Sequence, residues 1–205
     1  MVGFISRGFG GRRRAPEGLE DRIPPGQHYE SGFPVLTAGP TPKIEPSDWR
    51  LRVDGLAAEP REWSWAEAHE LPQTTFDGDI HCVTTWSKLG TSFTGVSVDE
   101  LLDRARPDPS ATHAMAFSYG GYTTNLPLED LCGGKAWIAF EHEDGPLPRE
   151  HGGPARLLVP HLYFWKSAKW VSGLRLMDHD EAGFWEQNGY HMYGDPWREE
   201  RYSGD

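Results

Sequence analysis

"HGGPARLLVPHLYFWKSAKWVSG", residues 151–173, packs three cations into a run of bulky apolar side chains. Arg156, Lys166 and Lys169 stand among Leu162, Tyr163, Phe164, Trp165, Trp170 and Val171, and Ser167 adds a hydroxyl between the two lysines. Charges on an ordinary solvated face are flanked by polar residues. Charges set among aromatics suggest a walled pocket. An arginine supplies a flat fork of donors and a lysine a point charge, so the cluster suits a phosphate. The flanking segments "ARLLVP" (155–160) and "KWVSGLRLM" (169–177) read as strands.

Working outward, "WRLRVDGL" (49–56) alternates Trp49, Leu51 and Val53 with Arg50, Arg52 and Asp54, the pattern of a half-buried strand. "SWAE" (64–67) and "SVDE" (97–100) are capping boxes, each predicting a short helix, ending near Pro72 and Arg106. "TTFDGDIHCVTTW" (74–86) predicts two strand-like runs around Asp77-Gly78, and "THAMAFSY" with "YTTNL" predicts a second hairpin around Gly120-Gly121. "PLEDLCGG" (127–134) is a helical turn stopped by glycines. "KAWIAFEHEDGPL" (135–147) is a further strand region. Strands dominate and helices are short and scattered, so the expected class is α+β with mixed, mainly antiparallel sheets. Residues 1–25, rich in Gly and Pro, are expected as a flexible arm, and residues 26–205 as one domain.

The chain has 205 residues, 31 acidic against 20 basic, for a net charge of −11. That balance argues against nucleic-acid binding, which needs a basic surface. No apolar run reaches the 18 residues of a membrane span. Arg12 to Arg14 are followed by a polar, proline-rich stretch rather than an export-type apolar one, so the expected location is cytoplasmic. Two cysteines without a Cys-x-x-Cys spacing point to free thiols. "DHDEAGFWEQNG" (178–189) begins like a calcium loop but has Ala182 and Gly189 where ligands are needed. The tail "YGDPWREERYSGD" (193–205) reads as a docking segment.

Cys82 lies in "IHCVTTWS" (80–87). Four roles are open to it: a small buried hydrophobe, a nucleophile with a histidine base, a zinc ligand, or a thiolate ligand to a softer metal. His81 is adjacent, but neighbours along a strand face opposite ways, which weakens the second and third.

Together, "HYESGFPVLTAG" (28–39), "HCVTTWS" (81–87) and the 151–173 stretch resemble the molybdopterin-binding domain of the sulfite oxidase fold, nearest the methionine sulfoxide reductase catalytic subunit branch and its cytoplasmic relatives. The resemblance covers about residues 26–177. It implies molybdenum on molybdopterin, with Cys82 as the only protein thiolate on the metal and the catalytic residue. It implies a phosphate pocket of Arg156, Ser167 and Lys169 with the Ala168 N–H, beside Lys166. It places Tyr29 and Glu30 at an early cofactor-contacting pair, Ser118 and Tyr119 near a contacting threonine, and His151 at a contacting asparagine. Sulfite oxidases carry an arginine five residues after the metal cysteine; this chain has Ser87. The resemblance therefore implies two-electron oxygen-atom transfer on a small-molecule substrate, led by reduction of an S- or N-oxide. Sulfite-type oxidation, or a non-catalytic binding protein of the same fold, are the alternatives. With no haem domain or dinucleotide fingerprint, electrons are expected from a separate partner.

Overall fold

The alternation of "WRLRVDGL" becomes strand β2 (Arg50–Gly55), with Leu51 and Val53 buried and Arg50 and Arg52 exposed. The computed structural model describes residues 15–205. β2 pairs antiparallel with β3 (Arg61–Ser64) and parallel with β11 (Val171–Met177). β11 then pairs antiparallel with β6 (His113–Ser118), and β6 with β7 (Thr123–Pro127). These five strands form one sheet in the order β3-β2-β11-β6-β7. The hairpin expected at Gly120-Gly121 joins β6 to β7, and both glycines take the positive φ that such a turn requires.

The other sheet is built on β5 (Trp86–Ser97), the longest strand. It pairs antiparallel with β4 (Gln73–His81) and β8 (Trp137–His142), and parallel with β1 (His28–Tyr29). β8 continues to β9 (Gly145–Pro146) and β10 (Arg156–Leu158). Both sheets are mixed and mainly antiparallel, which is the expected α+β class.

The β4–β5 turn is not at Asp77-Gly78. β4 runs straight through that dipeptide, and the chain reverses at Cys82–Thr85. There the Thr85 N–H donates to the Cys82 carbonyl at 3.0 Å, the Cys82 N–H donates to Trp86 at 2.8 Å, and Thr85 takes φ 77°. Asp77-Gly78 precedes a register shift instead, and the Phe76 ring fills the space a Cβ at Gly78 would take. A glycine can thus mark a bulge or a close approach as readily as a turn.

Helix α1 (Trp65–Glu70) starts with the full Ser64–Glu67 capping box. Helix α2 (Val98–Ala105) buries Val98, Leu101, Leu102 and Ala105 on one face. Its expected box is only half made: Ser97 caps the Asp99 N–H, while Arg104 takes the Glu100 carboxylate. Helix α3 (Phe184–Gln187) follows β11. "PLEDLCGG" contributes a 3-10 turn, Leu128–Asp130.

Two apolar clusters result. The larger holds Trp49, Leu101, Leu126, Ile138 and Leu174. The smaller holds Ile80, Cys82, Trp86, Phe93 and Tyr163, and it places the cysteine turn against β5 and the 163–165 segment. Of the expected flexible arm, residues 1–14 lie outside the described residues. Within residues 15–25, Arg22 pairs with Asp79, and the Pro25 carbonyl accepts from Arg201 at 3.3 Å.

One buried ion pair pins α3 to the second hairpin. Lys166 and Glu186 meet at 2.7 Å with both side chains fully buried. Lys166 also donates to the Asn125 side chain at 2.7 Å and the Met192 carbonyl at 2.6 Å. Glu186 accepts from Trp165 Nε1 at 2.8 Å and from Thr124 at 3.2 Å. Removing one partner of such a pair leaves a bare buried charge, at a cost of about 3–5 kcal/mol. Lys166→Met should therefore lower the unfolding free energy by about that amount. The Lys166→Met/Glu186→Gln double variant should recover part of it, as read by urea denaturation.

Candidate active site

Cys82, Val83 and Thr84 put the β4–β5 turn into the wall of a cavity of about 320 Å³. Arg156, Ser167 and Lys169 line the same cavity, as does Tyr119. Five of the residues expected at a site thus converge from three separate stretches of chain.

Arg156 is only 1% exposed, yet its guanidinium meets no carboxylate among the described residues. It donates to the backbone carbonyls of His151 and Ser167, each at 2.8 Å, and lies 4.0 Å above the centre of the Phe164 ring. Burial lowers its pKa to about 9. Lys169, partly buried, donates to the carbonyls of Leu36 at 2.7 Å and Glu150 at 2.6 Å. Burial, then the charge of Arg156, lowers it to about 7. A buried cation satisfied by neutral carbonyls keeps its net charge, and an anion in the cavity would offset the desolvation cost. Ser167 accepts the Val159 N–H at 2.8 Å and keeps its own hydroxyl proton to donate.

Cys82 is 7% exposed, with its sulfur 3.1 Å from the Thr84 hydroxyl. Burial pushes the thiol pKa up, while the Thr84 hydrogen bonds and the charges of Lys169 and Arg201 pull it back. Two side chains hold the turn: Gln27 donates to the Cys82 carbonyl at 3.0 Å, and Arg201 to the Val83 carbonyl at 2.9 Å. His81 lies 2.9 Å from the Ser87 hydroxyl and edge-on to Trp197, and burial lowers its pKa to about 4. It is engaged away from the thiol, so the cysteine–histidine dyad has no geometric basis. Among the described residues no three His, Cys, Asp or Glu side chains gather to hold a metal. Cys82 and Cys132 are both free thiols.

The remaining expected contacts fall outside the cavity lining. Lys166 points into its ion pair with Glu186, because a fully buried ammonium needs a carboxylate more than a lining position. Tyr29 pairs with Ser87 along β5, and the Glu30 carboxylate accepts the Gly32 N–H at 3.0 Å. Ser118, at the end of β6, and His151 are buried, and the Ser118 Oγ and His151 Nδ1 have no hydrogen-bond partner among the described residues. His151 stacks on Phe33 at 3.8 Å, and burial lowers its pKa to about 3. Ala168 is buried, its carbonyl accepting from Leu157 at 2.9 Å.

Other walls carried no sequence signal tied to chemistry. Phe33, Leu36 and Pro40 come from a stretch without periodicity, and Trp185 and Tyr190 from beyond β11, stacked at 4.9 Å. Trp86 could be suspected from its place beside the cysteine. It lines the cavity, and its buried Nε1 donor has no hydrogen-bond partner among the described residues.

The cavity's contents suit a group with sulfur-seeking metal at one point and a phosphate at another: one thiol, two unneutralised cations, unpaired donors and aromatic walls. The comparisons agree. The profile of the oxidoreductase molybdopterin binding domain matches residues 38–185. The chain is 40% identical over 198 residues to "Uncharacterized oxidoreductase YuiH" of Bacillus subtilis, spanning 96% of this chain and 99% of that one. It is 27% identical over 171 residues to the protein-methionine-sulfoxide reductase catalytic subunit of Gluconobacter oxydans, spanning 74% of this chain and 54% of that one. In fold it is similar to the sulfane dehydrogenase SoxCD of Paracoccus pantotrophus, with a TM-score of 0.63 and 23% identity over 68% of this chain and 40% of that one. A match across most of its length to one domain family, on a cavity built to suit that family's cofactor, shows that this chain belongs to the oxidoreductase molybdopterin binding domain family and is an oxidoreductase using molybdopterin with molybdenum.

Proposed function

We propose that this protein reduces an S- or N-oxide, with Cys82 as the sole protein ligand to molybdenum and Arg156, Ser167 and Lys169 holding the pterin phosphate. One observation carries this reading: a single cavity presents a buried thiol and two cations that have no carboxylate partner among the described residues. When bound, the cofactor supplies two-electron oxygen-atom chemistry at its metal.

The chain's own residues do the rest. Cys82 contributes a thiolate, the form in which cysteine binds metal. Lys169 and Arg156 set a positive potential that draws a phosphate into a protein of charge −11. Trp165, Trp170, Trp185 and Tyr190 give the cavity an aromatic wall. The direction of reaction rests on what the lining lacks. Among the described residues Arg156 and Lys169 are its only charged residues, and in this reading both hold the phosphate. Ser87, at the arginine position of sulfite oxidases, is fully buried and turned to His81. A neutral oxide needs no further cation, whereas sulfite does.

Electrons then come from a separate partner protein, since an oxide-reducing cavity must be recharged after each turnover. No helix among the described residues is long and apolar enough to cross a membrane. The free Cys132 suits a reducing, cytoplasmic setting.

Cys82→Ser should lose activity and molybdenum while keeping the thermal midpoint close to wild type, because oxygen replaces sulfur poorly as a ligand to this metal but fits the same space. Cys132→Ser should keep both. Metal analysis of the two purified variants decides between them, and wild-type molybdenum in Cys82→Ser would remove the ligand assignment. A cofactor-loaded wild type that is inactive on a panel of S- and N-oxides but oxidises sulfite would reverse the direction. Inactivity on both would favour a binding role.

Lys169→Gln keeps donors for the Leu36 and Glu150 carbonyls but removes the charge. A charge-assisted hydrogen bond contributes about 1.5–3 kcal/mol, so cofactor affinity should fall about tenfold to a hundredfold. The measurement is pterin fluorescence released per chain at limiting cofactor. Affinity equal to wild type would place the phosphate elsewhere.

A further inference from the structure

The far end of the chain reaches the thiol turn. Arg201, 118 residues beyond Val83, donates Nη1 to the Val83 carbonyl at 2.9 Å. Its Nη2 donates to the Pro25 carbonyl at 3.3 Å, and its guanidinium lies 5.0 Å from the centre of the Tyr163 ring. Tyr163 in turn stacks on the cavity-wall residue Trp165 at 5.4 Å. The Arg201 side chain is 13% exposed, and its nearest carboxylate, the half-exposed Glu199, is 3.8 Å away.

The segment that carries Arg201 is itself latched. The Arg201 N–H donates to Asp205 at 3.0 Å, and the Arg201 carbonyl accepts the His191 N–H at 3.2 Å. Tyr190, of the cavity wall, bridges to Tyr202. On the other side of the turn, Gln27 holds the Cys82 carbonyl at 3.0 Å. Two successive carbonyls at the cysteine are thus fixed by side chains from opposite ends of the chain. Arg201 and Gln27 both lie outside residues 38–185, the span matched by the family profile.

We propose that Arg201 is a positioning residue for the metal-binding thiolate: it clamps the Cys82–Thr85 turn and holds a fixed positive charge close to the sulfur. The turn needs a clamp because Thr85 sits at φ 77°, a conformation a β-branched residue adopts only when its surroundings enforce it. Arginine suits both tasks, since its planar fork bonds two carbonyls at once and carries a positive charge. A nearby cation favours the more electron-rich state of a metal centre, so Arg201 raises the reduction potential of the bound molybdenum. This inference rests on Cys82 being the ligand.

The test uses holoenzyme from a host that makes the cofactor, with Arg201→Gln, Arg201→Lys and the exposed control Arg198→Gln. The molybdenum reduction potential, measured by spectroelectrochemistry, should move to more negative values in Arg201→Gln. It should return toward wild type in Arg201→Lys and stay put in Arg198→Gln. In parallel, hydrogen exchange of the Cys82 and Thr85 amides in cofactor-free protein should quicken about tenfold in Arg201→Gln, the loss of one hydrogen bond's constraint on the turn. That second readout needs no metal. Exchange rates equal to wild type would overturn the clamp, and an unchanged potential in a fully loaded Arg201→Gln would overturn the electrostatic role. Cys82→Ser with an intact molybdenum signature would instead strike the ligand reading, leaving the exchange result to stand by itself.

Discussion

Two cations with no carboxylate partner among the described residues tie the walls of the cavity together. Arg156 and Lys169 donate to carbonyls of Leu36, Glu150, His151 and Ser167, so they cross-link the segments that form the walls. Backbone carbonyls solvate a charge without cancelling it. The result is a frame that is mechanically complete and electrically unfinished, in a protein whose overall charge of −11 would otherwise repel an anion. In the proposed reading the pterin phosphate completes it. The same two side chains thus join the walls and leave positive charge facing the cavity.

Lys166 shows the opposite solution three residues away. It has a carboxylate, Glu186, and a set of further acceptors, and it spends its charge inside the protein. The two lysines are equivalent in sequence, both flanked by tryptophan in "FWKSAKW". A 3-10 turn over Phe164–Lys166 separates them, sending one inward toward α3 and leaving the other at the cavity. An acid 20 residues downstream decides which lysine is structural, and no local pattern announces that partner.

That contrast marks how much could be read from sequence. The period-two alternation of β2 and the capping box of α1 are local, so they were legible. So was the β6–β7 hairpin, because Gly120-Gly121 takes the positive φ its turn needs. The β4–β5 turn was misplaced because Asp77-Gly78 looks like a better turn than Cys82–Thr85, whose carbonyls are bonded by the distant Gln27 and Arg201. Cys82, Arg156, Ser167 and Lys169 were expected at a site and converge on one cavity. Lys166 was expected there and is not, while Phe33, Trp185 and Tyr190 line it without local warning. Side chains that act through short-range pattern are visible in a sequence; those recruited across the fold are not.

The clamp at Val83 gives this distinction a mechanical meaning. A thiolate ligand on a two-stranded turn would move with the turn, and a metal bond tolerates little displacement of its donor atom. The strand pairing of β4 with β5 fixes the base of that turn but not its tip, where Thr85 departs from strand geometry. The tip is fixed by tertiary contacts from residues 27 and 201, and the tail that brings Arg201 is latched beside Tyr190 of the cavity wall. Displacement of the tail would thus disturb the thiol's mount and the aromatic wall together. The tail read from sequence as a docking segment has, in the folded chain, the cysteine turn as its first docking partner.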